Sequence, residues 1–292
     1  MIHNQYSMLE NRQNIEKVHF TEGQSTDILK SISSIDITTI DLCNRTCVFC
    51  PRHDAKVYPN RNLHMTAAGA KIIASKISVL DYSSTIGISG FGENLLNPEI
   101  VGIIREFRLA NPKASIECNT NGDPLTLEMF EELREAGLDI LNINVYDGPE
   151  QIDQFDDMLK QQPGYRYRVH YNPDDYGIIF NNRSGLIDWM PADTEQVANS
   201  PCYLPFYKLM IDWNGDVLFC ANDWGREHII GNLMQQSIED VWLSKPMMKF
   251  RLKLSKGNRD FSPCKTCSVK GTLIGEHSHN LLMDYYNDSS NR

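Results

Sequence analysis

The chain has 292 residues, 41% of them apolar, with eight cysteines and a formal charge of −10. The acidic balance excludes a protein built to cover a nucleic-acid backbone, because phosphate contacts need clustered Lys and Arg. No apolar run is long enough to span a bilayer, and the size allows one large domain, or one domain with a small appendage, around an ordinary core.

Residues 1–32 are mostly polar and irregular, and the stretch Met1 to Met8 lacks the charged and apolar regions of a secretory signal. The expected location is a reducing cytoplasm, where cysteines serve as metal ligands more often than as disulfides. From Ser33, Ile35 and Ile37 alternate with Asp36 and Thr38, which predicts a strand. A helix follows near Met65–Leu80, a strand at Ser84–Ser89, and a helix over Pro98–Leu109 opened by its proline. Ala114–Cys118 reads as a strand; Leu127, Phe130 and Leu133 then repeat at helical spacing, stopped by Gly137. Asp139–Val145, Pro149–Gln161 and Tyr165–Tyr171 continue the alternation as strand, helix and strand.

Repeated strand–helix units predict a parallel sheet. About five or six units fit between Ser33 and Gly185 at typical unit lengths, too few for an eight-unit barrel. The fold class is therefore α/β, with a partial barrel whose active site lies at the C-terminal ends of the strands.

The first of those strand ends carries Cys43, Cys47 and Cys50 in a C-x3-C-x2-C run. Three thiolates on a tight loop suit three irons of a four-iron cluster and leave the fourth iron open for a small molecule. Zinc sites usually bring cysteines in pairs with four ligands in all, and a disulfide would leave one of the three thiols odd. After the next strand comes Gly90-Phe91-Gly92-Glu93. Its glycines let a ligand approach the backbone and Glu93 supplies an acceptor, although glycine is also common in plain turns.

The triplet, with the aromatic Phe49 just before its third cysteine, resembles the signature of the radical S-adenosylmethionine (radical SAM) enzymes. The resemblance implies an open (β/α)6 barrel and a 4Fe–4S cluster at Cys43, Cys47 and Cys50. S-adenosylmethionine would chelate the open iron, and one electron would cleave it to a 5′-deoxyadenosyl radical that abstracts a hydrogen atom. In that family the Gly90–Glu93 segment resembles the motif that holds the methionyl amino group. Asn121, in Asn119-Thr120-Asn121-Gly122, would give a polar contact near the cofactor, and Asn144 resembles a ribose contact. Arg166, Arg168 and His170 alternate on one strand face; they read either as a solvated or paired edge or as a site where Arg168 grips a carboxylate. Asn181-Asn182-Arg183-Ser184-Gly185 resembles a segment that closes such barrels, with Arg183 a candidate cofactor or substrate contact or a structural cap.

A composition shift near Pro191 opens the C-terminal part. Tyr207-Lys208-Leu209-Met210-Ile211-Asp212 and Val217-Leu218-Phe219-Cys220, joined through the turn Trp213-Asn214-Gly215-Asp216, predict a hairpin. Ser237–Lys256 reads as a helix that Pro246 kinks or interrupts. Cys202, Cys220 and the pair Cys264 and Cys267 remain; by spacing alone a structural zinc knuckle stays open. Asp212-Trp213-Asn214-Gly215, Cys220-Ala221-Asn222-Asp223-Trp224, Gly231-Asn232-Leu233 and Gly257-Asn258-Arg259 resemble the twitch domain, a shortened SPASM extension of radical SAM enzymes. The resemblance, over about residues 33–271, implies an auxiliary 4Fe–4S cluster held by all four thiolates.

The expected organisation is an N-terminal extension (1–32), a partial barrel (33–190), a hairpin-plus-helix iron–sulfur domain (191–275) and a C-terminal tail (276–292). The leading reading of function is oxidation or epimerisation of a small sugar- or aminocyclitol-like molecule, driven by a one-electron reductant such as flavodoxin or ferredoxin. Cys118, the eighth cysteine, is either a small core residue or a thiol that returns a hydrogen atom, as an epimerase requires. A ribosomal-peptide maturase is a second reading, weakened by the 42 residues that precede Cys43. A non-catalytic zinc-stabilised binding protein is a third. Neither a nucleic acid nor a membrane is an expected partner.

Overall fold

A computed structural model of the protein describes residues 27–171, 180–190, 197 and 199–288. The expected boundary near Pro191 and the Met1–Met8 segment lie outside those residues. Five strands run in parallel: β1 (Ser34–Ile37), β2 (Thr85–Ile88), β3 (Ser115–Thr120), β4 (Ile140–Val145) and β5 (Tyr165–Val169). Between them lie α1 (Ala67–Ser78), α2 (Ile100–Ala110), α3 (Leu127–Glu135) and α4 (Glu150–Met158). Each falls where the alternation of apolar periods placed it.

Strand alternation sorts the side chains onto two faces. Ile35, Ile86, Ile116 and Leu141 pack outward against Ile73, Ile103, Phe107 and Phe130 of the helices, forming the core. The opposite face is concave and polar. There Lys208 pairs with Asp36 at 2.5 Å, and Arg166 pairs with Glu117 at 2.6 Å. A barrel interior is normally packed with branched apolar side chains; this one is lined with charges, which leaves room for water or a polar ligand.

The helix starts are set by side-chain caps. Thr66 accepts from Gly69 N and Thr126 from Met129 N. Pro98 does not open α2: the helix begins at Ile100, and the Glu99 carboxylate beside it accepts from Ala67 N at the start of α1, tying the two helices together.

The hairpin departs from expectation in an informative way. Its first strand, β6 (Lys208–Ile211), pairs with β7 (Asp216–Leu218) antiparallel, as the Asn-Gly turn requires, with Gly215 at φ 85°. The same strand also pairs in parallel with β1, Ser34 opposite Lys208. Among the described residues the sixth parallel position is thus filled by the C-terminal hairpin rather than by a sixth strand–helix unit. With β8 (Ile229–Asn232) the result is a single eight-stranded sheet of order β5-β4-β3-β2-β1-β6-β7-β8.

Beyond the sheet, the long helix expected over Ser237–Lys256 is interrupted, as Pro246 implied. It becomes α5 (Ile238–Trp242) and α6 (Lys245–Ser255), with Ser244 capping the second and Pro246 in its first turn. Where a tail was expected, α7 (Glu276–Asn287) buries Ser278, Leu282 and Tyr286, and the Tyr286 hydroxyl accepts from buried Arg251 at 2.8 Å. No helix among the described residues is long and apolar enough to cross a membrane.

Candidate active site

A cavity of about 420 Å³ opens at the C-terminal ends of the parallel strands and runs down the concave face. It touches Cys43, Cys47 and Cys50 on one side, and on the other Ala221, Asn222 and Val269–Gly271, which flank Cys220 and Cys267. The triplet borders the chamber directly, and neighbours of the C-terminal cysteines border it from the other side.

The triplet loop is tight: Cys50 N donates to Cys47 O at 2.9 Å. Asn60 closes its start, accepting from Cys43 N and donating to Cys43 O, both at 3.0 Å. Arg45, between the first two cysteines, reaches the strand ends and forms ion pairs with Asp123 at 2.5 Å and Asp147 at 2.7 Å. Phe49 turns inward and stacks with Phe180 (4.4 Å between ring centroids), His170 (5.5 Å) and Tyr146 (6.0 Å).

The glycine loop lies against this one. A Cβ on Gly92 would overlap the carbonyl oxygens of Ile40 and Leu42, and one on Gly90 would overlap Thr38. Both glycines are needed for backbone approach to the cluster loop, with Glu93 N donating to Leu42 O at 2.8 Å. The Glu93 carboxylate is 3% exposed and accepts from Leu95 N (3.0 Å), Thr120 Oγ1 (2.7 Å) and Asn121 N (2.6 Å). Three of its roughly four acceptor sites are thereby taken. Burial nonetheless pushes its pKa up to about 7 from an ordinary 4.5.

Asn121 joins the loops from the β3 side. Its Nδ2 donates to Asn44 Oδ1 at 2.8 Å and stands 3.9 Å from the Cys43 sulfur. Asn144 Nδ2 donates to Thr120 O, so its Oδ1 faces His170 Nε2 at 3.0 Å and fixes the protonated nitrogen there. Burial, with Arg168 and Arg183 nearby, lowers the His170 pKa to about 3. His170 stays neutral at working pH and serves as a hydrogen-bonding group rather than a proton store. Arg168 and Arg183 both line the cavity, and the Arg183 guanidinium sits 5.7 Å from the Trp224 ring centroid.

Cys118 is not brought to the chamber. It is fully buried on the outward face of β3, in the core with Ile86 and Ile116. The thiol is one position out of phase with the lumen-facing Glu117 and Asn119.

Sequence reasoning missed a buried charge network below the triplet. Arg52 pairs with Asp41, both side chains 2% exposed; Arg226 meets the same Asp41 at 3.5 Å and pairs with Asp212. Arg52 Nε also donates to Phe91 O at 2.6 Å, and Arg226 donates to the Tyr58 hydroxyl. Two cations and two anions thus tie the cluster loop, the glycine loop and the hairpin together. No local pattern signals partners this far apart in sequence; Arg45 with its aspartates is a second instance.

All eight cysteines are free. Burial, with Cys202, Cys264 and Cys267 nearby, pushes the Cys220 thiol well up. Backbone N–H groups point at two of them: Asn222 N lies 3.4 Å from Cys220 Sγ and Val269 N lies 3.4 Å from Cys267 Sγ. Such donors stabilise sulfur ligands of a cluster. As thiols the triplet cysteines are pushed up by burial, Cys47 to about 11. A bound metal would have to draw off those protons. Among the described residues no three His, Cys, Asp or Glu side chains converge on a point that would hold one metal ion.

Two family models match the chain. The Radical SAM superfamily matches residues 37–170, and the iron–sulfur cluster-binding domain SPASM matches residues 202–268. The S-adenosyl-L-methionine-dependent 2-deoxy-scyllo-inosamine dehydrogenase of Niallia circulans is 29% identical over 243 residues, 82% of this chain and 94% of that protein. A GTP 3′,8-cyclase of Microcystis aeruginosa is 29% identical over 118 residues, 40% of this chain and 35% of that protein. Among solved structures, BtrN in complex with AdoMet and 2-DOIA superposes with a TM-score of 0.71 at 27% identity, covering 83% of this chain and 95% of that one.

The chain belongs to the radical SAM superfamily and carries a SPASM-type C-terminal domain. It is a radical SAM enzyme, with S-adenosylmethionine and 4Fe–4S clusters as its cofactors.

Proposed function

We propose that this protein oxidises a secondary hydroxyl of a small amino-substituted cyclitol to a ketone, as a dehydrogenase of the kind named for the Niallia circulans relative. The observation that carries this reading is the shared chamber: the cysteine triplet and the residues flanking Cys220 and Cys267 border one cavity of about 420 Å³, within the range of small-molecule sites. Oxidising an alcohol removes a hydrogen atom from carbon, a proton from oxygen and one electron. Bound to the chain, S-adenosylmethionine and the cluster at Cys43, Cys47 and Cys50 supply a hydrogen-abstracting radical, and the auxiliary cluster at Cys202, Cys220, Cys264 and Cys267 supplies an electron sink. A small one-electron protein reductant, a flavodoxin or ferredoxin, starts each cycle.

The chain's own residues bind and orient. Phe49 and its ring stack exclude water beside the triplet. The Gly90–Gly92 backbone and Glu93 receive the methionyl ammonium, and Asn121 and Asn144 hold the strand ends in register with the cofactor. Arg168 and Arg183 donate to oxygens of the cofactor carboxylate or the cyclitol. The test is incubation of anaerobically reconstituted protein with S-adenosylmethionine, dithionite and 2-deoxy-scyllo-inosamine. Ketone should form in step with 5′-deoxyadenosine. Cofactor cleavage without ketone would overturn the substrate class.

Burial of Cys118 in the core favours oxidation over epimerisation. Cys118→Ala should keep turnover within about twofold, at a cost of about 1 kcal/mol in stability from the lost side-chain volume. Turnover that collapses while cofactor cleavage continues would restore the hydrogen-returning thiol.

Glu93 gives the reaction a pH signature. Its carboxyl, raised to about 7, is neutral below that value and ionised above it. Folding is therefore opposed by its ionisation as pH climbs from 4.5 to 7, whereas receiving an ammonium needs the ionised form. Affinity for S-adenosylmethionine should rise through pH 7 in the native protein. In Glu93→Gln it should be weaker and flat, because the amide also turns a donor towards Asn121 N. Equilibrium dialysis from pH 6 to 8.5 reads both; an identical slope in the variant would remove Glu93 from this role.

A further inference from the structure

The turn after the barrel is strained, and what holds it in place bears on function. Arg183, Ser184 and Gly185 follow one another at φ 48°, 58° and 90°. Non-glycine residues rarely adopt the left-handed region, and two in succession persist only where surrounding contacts impose them.

Those contacts come from the loops that carry the auxiliary cysteines. Asn182 Nδ2 donates to Thr266 O at 2.7 Å, and Asn182 exchanges two more bonds with Ser268, at 2.9 and 3.0 Å. Thr266 Oγ1 donates to Ser184 O at 2.7 Å, and Ser184 Oγ donates to Asn222 O at 2.8 Å. Thr266 and Ser268 flank Cys267; Asn222 lies two residues past Cys220. Packing is equally close at Gly185, where an added Cβ would stand 2.8 Å from Thr266. The outcome of this strain is the position of Arg183, whose side chain lines the chamber and lies over Trp224.

We propose that the two auxiliary cysteine loops form a latch that positions Arg183 for ligand binding, so that the order of the auxiliary site sets ligand affinity in the chamber as well as electron transfer. Thr266 and Ser184 are the positioning residues. The group recognised is an oxygen acceptor, either the carboxylate of S-adenosylmethionine or an oxygen of the cyclitol. This rests on the reading of Arg183 as a ligand contact.

A double-mutant cycle tests it, with iron content measured for each protein. One arm measures the dissociation constant of S-adenosylmethionine by dialysis; the other measures KM for 2-deoxy-scyllo-inosamine. Arg183→Ala should weaken one of the two by about 10- to 100-fold, the worth of a hydrogen bond to a charged group. The arm affected identifies the source of the oxygen. Thr266→Val should weaken the same quantity by about fivefold with iron retained, and Thr266→Ser, which keeps the hydroxyl, should restore it. The double variant should be no weaker than Arg183→Ala alone, because the latch acts only through that side chain.

If Thr266→Val loses iron, Ser184→Ala, which lies outside the cysteine loops, takes its place with the same expectations. A harmful Arg183→Ala beside a neutral latch variant, or losses that add in the double variant, would overturn the latch alone. A neutral Arg183→Ala in both arms would remove the ligand contact and the latch with it.

Discussion

Replacing Cys43, Cys47 and Cys50 together with alanine will abolish reductive cleavage of S-adenosylmethionine while sparing the second iron site. The three cysteines lie on one loop whose contacts run to Asn60, Asp123 and Asp147, whereas Cys202, Cys220, Cys264 and Cys267 lie on other loops, with backbone donors at Cys220 and Cys267. Native protein should carry about eight irons and the variant about four, at four per cluster. Iron and sulfide analysis after anaerobic reconstitution gives the ratio, and chromatography of 5′-deoxyadenosine gives the cleavage. Persistent 5′-deoxyadenosine from the variant would sink the assignment of the triplet. Zinc in place of the remaining iron would sink the auxiliary cluster.

Asp41→Asn should be the most damaging single change away from the cysteines. Asp41 lies between two guanidinium groups, those of Arg52 and Arg226, and its side chain is 2% exposed. Removing its charge leaves buried cations short of a partner, which costs about 3–5 kcal/mol. The exposed pair of Lys113 and Asp81, with side chains 60% and 76% accessible, should by contrast tolerate Asp81→Asn with almost no change in melting temperature. The loss at Asp41 should also reach the chemistry. Arg52 holds the Phe91 carbonyl of the glycine loop and follows Cys50 by two residues, so S-adenosylmethionine affinity should fall together with thermal stability. Equal melting temperatures for the two variants would show that the network carries no special weight.

The two variants also mark what a sequence can disclose. The cysteine triplet, the glycine loop and the alternation of strands and helices were legible because each is a short-range pattern: a loop spacing, a backbone approach, a period of two or 3.6 residues. The interruption at Pro246 and the turn at Gly215 were legible for the same reason, since each follows from one residue's backbone chemistry. The Asp41 network was not, because Arg226 lies far along the chain and nothing around either residue encodes the other. The helix Glu276–Asn287 escaped notice although Ser278, Leu282 and Tyr286 recur every four residues, because polar neighbours dilute a stripe that narrow. Cys118 was left between two roles, and phase along β3 decides its face: its neighbours Glu117 and Asn119 face the lumen, and it does not.

Lys208–Ile211 edges the parallel strands and also forms one arm of the hairpin. A segment with two allegiances cannot serve as a seam. Recombination experiments that transplant the C-terminal iron–sulfur module from a relative, with the crossover placed between the two family-model matches, would bring in a foreign β6 against a native β1. The Lys208–Asp36 pair inside the barrel would then depend on residues from two parents. Chimeras of this enzyme should therefore be designed with β1 and β6 exchanged together, as though they were neighbours in the gene.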